Sequence, residues 1–309
     1  MKKIFLCGVL LAGIVGCSVE ETENPTRGYV SLLVNDSHFR LMQREAEQFH
    51  SLYPKGKVEL YATSTREAIV HLLNDSVSAI VIDRTFNEEE QQVVDEAQLE
   101  VNHLRIAEDA LAIVTHQKNP ITNISRRSLE MILLRQASDW SEIPESKWFG
   151  PIELSLTGRN SGPYELLQRH FFDFKEDLVL THLAASQNQV LHYVATHSRA
   201  VGIVSLSCLA DSVGHPAPHD STTTLRVLAV EGAADSTNAV SFVTLHQAHI
   251  YQERYPLHYP VYFYWRPISR SVATGFITFV ASGPGQKIIL DAGLVPATMP
   301  VRLVQLKQQ

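Results

Sequence analysis

Cysteine is scarce in this chain. Its 309 residues hold three, Cys7, Cys17 and Cys208, and none falls in a spacing that pairs thiols or binds zinc. A disulfide scaffold and a cysteine-built metal site are therefore excluded. Basic charge is also short: 26 Lys and Arg stand against 33 Asp and Glu, for a net charge of −7. That balance argues against nucleic-acid partners, although a local anion site needs only a few donors. The apolar run at the N-terminus, Ile4 to Val15, is too short to serve comfortably as a permanent membrane span. There is no internal repeat and no low-complexity tract. What remains is 45% hydrophobic and 19% charged residues, an ordinary globular balance. The length allows one or two domains with a real core. Cys208 is expected to be a small buried hydrophobe.

The first residues read as a targeting segment. Met1-Lys2-Lys3 is basic, Ile4 to Val15 is apolar, and the run closes Gly13-Ile14-Val15-Gly16-Cys17. This resembles the bacterial lipobox, with an aliphatic residue three before the cysteine and a small residue just before it. The resemblance implies that residues 1–16 are removed and that Cys17 carries acyl chains as the new N-terminus. Residues 17–27, with Glu20, Glu21 and Glu23, read as a polar tether. The expected location is the cell envelope, with inner membrane, outer membrane and outer-membrane surface all open.

From residue 29 the chain alternates strands and helices. Tyr29 to Val34 reads as a strand, and Asn35-Asp36-Ser37 caps a helix with Phe39, Met42, Ala46, Phe49 and Tyr53 on one face. Val58 to Tyr61 is a second strand. Ser64-Thr65-Arg66-Glu67 has the capping-box pattern ahead of a helix carrying Ala68, Ile69, Leu72 and Leu73. Ser78 to Asp83 is an apolar run ending in a carboxylate, the pattern of a buried strand. This rhythm predicts a parallel sheet with helices on both faces. Residues 87–97 form an acidic, solvated helix. Leu104 to Thr115 splits into two short extended pieces around Glu108-Asp109. Further helices are expected over 125–134, 186–196, 269–281 and 284–292, strands over 200–206, 225–230 and 259–265, and a polar loop over 211–224.

The stretch from Glu153 to Leu167 organises the rest. Residues 153–157 alternate as a strand, Gly158 begins a turn, Ser161 is suited to an N-cap, and Pro163 and Glu165 suit a first helical turn. A helix opening at Ser161-Gly162 turns unpaired N–H groups into the turn, and Arg159 adds a planar donor fork suited to phosphate or carboxylate. An ordinary strand–helix connection with a surface arginine would look the same.

Several stretches in order resemble the substrate-binding lipoproteins of phosphate ABC transporters, which are type II periplasmic binding proteins. They are residues 106–140 with Asn119-Pro-Ile-Thr-Asn123 and Trp140; Gly158-Arg-Asn-Ser-Gly162; Ala200-Val-Gly-Ile-Val204; Tyr255-Pro-Leu with Pro260 to Tyr264; and Ser282 to Ile288 with Ala292-Gly-Leu-Val-Pro296. The resemblance implies an α/β, two-lobed fold of type II with the ligand cleft between the lobes. One lobe would comprise residues 28–110 plus 236–309, the other 111–235. It implies a monomer that binds phosphate or a similar oxyanion, needs no cofactor, and delivers the anion to an ABC transporter permease. Carried over by position, the site falls on Ser37 and His38, Ser64 and Thr65, Asp83, Arg159, Ser161 and Gly162. Asp83 would accept the O–H of a hydrogen phosphate, which sulfate lacks at neutral pH, and would pair with Arg159.

The pattern also departs from that family. The usual loop has three residues between the arginine and Ser-Gly-Thr; here only Asn160 stands between Arg159 and Ser161, and Pro163 replaces the threonine. Proline supplies neither N–H nor hydroxyl. Asp36, His38 and Arg66 also differ from the family's first two helix starts. A sensor or surface interaction lipoprotein on the same fold, with altered or lost anion binding, therefore stands beside the transport reading. An enzyme reading of Ser161 lacks the Gly-x-Ser-x-Gly spacing and a base placed by sequence. The His215/His219 and His246/His249 pairs are weak metal candidates with no cysteine to support them.

Overall fold

The computed structural model describes residues 23–209, 224–232, 241–267 and 271–298. The expected signal segment, Cys17 and nearly all of the 211–224 loop lie outside them, as do His215 and His219.

β1 (Gly28–Asn35), α1 (Phe39–Leu52), β2 (Gly56–Thr63), α2 (Thr65–Leu73) and β3 (Ala79–Ile82) follow the sequence closely. β1 lies between β2 and β3, parallel to both. All four residues of β3 are buried, as a strand covered on both faces requires. Its acidic successor α3 (Glu88–Glu96) buries no residue.

Beyond this point the sheet departs from the parallel expectation. Residues 102–116 form one continuous strand, β4 (Asn102–His116), where two short pieces were expected. Its first part pairs antiparallel with β12 (His258–Trp265), which in turn pairs antiparallel with β3. Its second part pairs antiparallel with β8 (Ala200–Ser205). β6 (Glu153–Thr157) lies parallel to β8 and to the edge strand β7 (His182–Ala184). The sheet is therefore mixed, in the order β2-β1-β3-β12-β4-β8-β6-β7. β12 runs against both of its neighbours and β4 runs against β8, which a βαβ rhythm read only from the chain's two halves cannot reveal. β4 is shared between the two lobes, one built on β1–β3 and β12, the other on β6–β8.

Smaller strands complete the sheets. The expected strand over 225–230 divides into β9 (Leu225–Val227), on β4, and β10 (Ala229–Glu231), which pairs with β5 (Asn123–Ile124) and β11 (Phe242–Val243). Between them Leu228 is buried and bonds Ile113 O through its N–H at 2.8 Å. β13 (Val295–Pro296) adds to β4.

Further helices among the described residues include α4 (Arg126–Leu133), α5 (Gly162–Leu167), α6 (Gln187–Thr196), α7 (Gln247–Tyr251), α8 (Val272–Ala281) and α9 (Gly283–Asp291). Trp140 is fully buried and its indole N–H donates to Arg199 O at 2.8 Å, satisfying its polar end. Phe49 of α1 meets Phe276 and Phe279 of α8 edge to face. Residues 24–27, the end of the expected tether, cross α8. A Cβ on Gly275 would lie 1.8 Å from Pro25 O, so this crossing needs glycine. Cys208 is half-buried, more open than expected, with its sulfur 3.6 Å from Asn188 Oδ1.

One residue breaks the pattern of α1. Its buried stripe is Leu41, Met42, Ala46, Phe49 and also Glu45. Both Glu45 carboxyl oxygens lack a hydrogen-bond partner among the described residues.

Candidate functional site

Strand directions bring the helix starts together. β1, β2 and β3 run the same way as β4, toward the second lobe, while β6, β7 and β8 run against it. The carboxyl ends of both strand sets thus meet at the junction, where ligands bind in open α/β sheets. A cleft of about 310 Å³ opens there, lined by Asp36, Thr63 and Ser64 from one lobe and by Thr157 to Ser161 and Ala185 from the other.

Of the residues expected at the site, Ser64, Arg159 and Ser161 line this cleft. Ser64 caps α2, its hydroxyl oxygen accepting from Glu67 N at 3.2 Å. Glu67 does not close the box on Ser64; it accepts from Thr63 Oγ1 at 2.5 Å. The Ser161 hydroxyl caps α5 by accepting from Tyr164 N at 3.4 Å, and it also accepts from Thr157 Oγ1 at 2.6 Å. An oxygen that accepts twice has its own proton left to donate. Ser161 lies on the cleft wall.

Arg159 is placed differently from its expected partner. Its guanidinium donates to Asp177 at 2.6 Å, with 69% of the Arg159 side chain exposed. Asp83 instead accepts from Thr65 Oγ1 at 2.7 Å. The position four before Ser161, where the family spacing puts arginine, is Thr157.

Ser37, His38, Thr65, Asp83 and Gly162 are buried beneath or beside the cleft. His38 is fully buried, its ring between Asn35 Oδ1 at 2.6 Å and Asp109 Oδ2 at 3.0 Å. Asn35 Nδ2 reaches Thr65 Oγ1 at 3.3 Å. Ser37 accepts from Gln187 Nε2 of the second lobe at 2.7 Å, and Ser207 donates to Ser37 O at 3.0 Å. Tyr259 lies beside Asp109, and burial, then that carboxylate, pushes its hydroxyl well up. These groups form a buried polar seam joining the lobes.

Asp83 holds the central place in that seam. It is 1% exposed, and its second oxygen, Oδ2, has no hydrogen-bond partner among the described residues. That oxygen abuts Gly162 so closely that a Cβ there would lie 2.0 Å from it. Nearby Asp36 is held above the usual carboxylate range, first by the surrounding protein and then by Asp83.

Reading the sequence missed the cation that bridges the lobes. Arg84 grips Glu90 of its own lobe through two N–H groups, at 2.7 and 2.9 Å, and Glu165 of α5 at 3.1 Å. Burial raises Glu165, and Arg84 opposes that rise. The available signal was an arginine directly after the strand-end Asp83, with acidic residues in the first turns of α3 and α5.

The PBP superfamily domain pattern matches residues 19–284. The chain belongs to the PBP superfamily. Its similarity extends to a phosphate-binding protein PstS of Pseudomonas aeruginosa, 23% identical over 298 residues, covering 90% of this chain and 85% of that one. Among solved structures, a putative phosphate ABC transporter substrate-binding protein of Clostridium perfringens, with bound phosphate, superposes with a TM-score of 0.70 at 19% identity, covering 87% of this chain and all of that one. An ABC-type phosphate transport receptor of Vibrio cholerae gives 0.66 at 22% identity, over 88% of this chain and all of that one. These likenesses carry the fold, and the two-lobed α/β architecture of this PBP superfamily member agrees with them.

Proposed function

We propose that this chain is an extracytoplasmic solute-binding protein that holds hydrogen phosphate, or a closely related protonated oxyanion, between its lobes for an ABC importer. The observation that carries the reading is the buried Asp83 carboxylate with an unpartnered Oδ2 at the lobe junction. A buried charged acceptor left unmet costs about 1–3 kcal/mol or more. A ligand bearing an O–H relieves that cost, and a fully deprotonated one worsens it. Ser161 supplies an unspent hydroxyl proton, and the nine-residue helix α2 opens toward the cleft at Ser64 with its free N–H groups. The similar proteins described as phosphate-binding support the same reading.

In this proposal Ser64, Ser161 and Gly162 touch the anion, Asp83 accepts its proton, and Thr65 holds Asp83. Ser37 and His38 act from the seam, orienting the loop after β1. Arg159 contributes charge at the rim. The lobes, residues 28–110 plus 236–309 and 111–235, close on the ligand by hinge motion; β11, beyond residue 235, pairs into the second lobe's small sheet. The protein works as a monomer. The N-terminal segment is cleaved and Cys17 carries the lipid anchor, so Cys17→Ser should move the protein from the membrane fraction to the soluble fraction. Unchanged fractionation rules out the anchor.

The test is calorimetric titration with phosphate and sulfate after bound anion is removed. Phosphate is expected to bind and sulfate to be rejected. Asp83→Asn, which replaces the lone acceptor with a possible donor, should narrow that preference at least tenfold. An unaltered preference removes Asp83 from the role. A second reading, a sensor or surface interaction lipoprotein without transport, draws on the outward pairing of Arg159 with Asp177. An absence of heat with every oxyanion would favour it.

A further inference from the structure

The cleft is larger than inorganic phosphate requires, and one wall has the wrong charge for it. At about 30 Å³ per water, a volume of about 310 Å³ has room for roughly ten waters. That is the low end of clefts built for organic ligands, about 300–1,000 Å³, and a lone tetrahedral anion fills only part of it. Hydrogen-bond donors for an anion lie on the Ser161 side, with Asn160 and Arg159 along the same wall. Opposite them, Asp36 presents a carboxylate to the open cleft, next to Ser64. Burial, then the nearby charge of Asp83, raises the Asp36 carboxyl. An inorganic phosphate held on the Ser161 and Ser64 hydroxyls would leave Asp36 facing it as a negative charge on the cleft wall. A ligand with a cationic tail turns that repulsion into a charge-assisted hydrogen bond.

The geometry points to a phosphate monoester or phosphonate whose substituent carries an ammonium group, with the phosphoryl end on Ser161 and Ser64 and the ammonium on Asp36. This rests on the phosphate reading above and narrows it to a substrate class. Asp36 is then the residue that distinguishes aminoalkyl phosphates from plain ones. The departures in the anion loop fit this arrangement. With Thr157 at the expected arginine position and Pro163 without an N–H, the anion end is weaker, and the tail contact offsets that loss.

Three probes test the inference by calorimetry on the full chain in detergent: inorganic phosphate, ethyl phosphate and O-phosphoethanolamine. The last two differ only in the terminal ammonium. O-Phosphoethanolamine is expected to bind at least tenfold more tightly than ethyl phosphate. Asp36→Asn should erase that gap while ethyl phosphate binds at least as well as before. Asp36 is exposed, and an unchanged melting midpoint would verify that the variant is folded. Equal binding of the two esters by the unmodified protein, or a gap that survives Asp36→Asn, overturns the inference. Binding of inorganic phosphate with both esters excluded also overturns it and leaves the phosphate reading standing. Failure of all three probes overturns both.

Discussion

Gly162→Ala is expected to weaken phosphate binding about 10- to 100-fold while each lobe remains folded. The added methyl would lie 2.0 Å from Asp83 Oδ2 and 3.3 Å from Asn35 Nδ2. Asp83 has little freedom to retreat, because Thr65 holds its other oxygen at 2.7 Å and Asn35 backs Thr65. The lobes themselves must therefore separate. Overpacking a tight contact costs about 1–3 kcal/mol, and about 1.4 kcal/mol is tenfold in affinity. The Arg84–Glu165 bridge spans the two lobes, so the separation stretches and weakens it. Calorimetry gives the affinity, and small-angle scattering should show a more extended liganded form. Full affinity in the alanine variant would show that the lobes need not meet at Gly162 when ligand is bound.

Glu45→Leu should stabilise the protein, and by more as pH rises. Burial pushes the Glu45 carboxyl from 4.5 up to about 9, with Arg44 only partly opposing it. Below the unfolded value both states hold the proton and no penalty arises. As pH climbs above it, the unfolded chain releases a proton that the folded chain keeps, so stability is lost progressively until the folded value is reached. At pH 7 that loss is roughly 3 kcal/mol. Leucine removes it and fills an apolar stripe between Leu41 and Phe49. Thermal unfolding at pH 5 and pH 8 is the measurement. The variant's advantage should widen between the two; a constant advantage would mean that packing alone accounts for the gain.

Local chemistry is where the sequence was most legible. The caps at Ser64 and Ser161 both formed, because a short hydroxyl beside free N–H groups acts over a few residues and needs no tertiary help. The buried run at 79–82 and the aromatic strand at 258–265 were equally plain. The mixed sheet was not, since strand direction depends on partners far along the chain, and nothing near residue 108 says that one strand serves two lobes. At the site, positions were readable and orientations were not. Arg159 reaches the cleft rim as expected, but Asp177, eighteen residues on, draws its guanidinium away. Arg84 was overlooked because its partners, Glu90 and Glu165, come from separate elements that meet only on folding. Glu45 sits on the face of its apolar neighbours, but its charge reads as a solvated side chain, and nothing local in the sequence marks it as buried.

The place of β12 between β3 and β4 has a consequence for how the chain is made. Everything in the second lobe's main sheet is synthesised before residue 258, whereas the first lobe leaves the ribosome with a gap between β3 and β4 that only the late strand fills. Until then the inner edges of both strands present unpaired backbone groups, the condition that invites pairing with another chain. The N-terminal lobe is therefore the last to finish, and a chain truncated before Trp265 would lose that earlier-made lobe, not the later one.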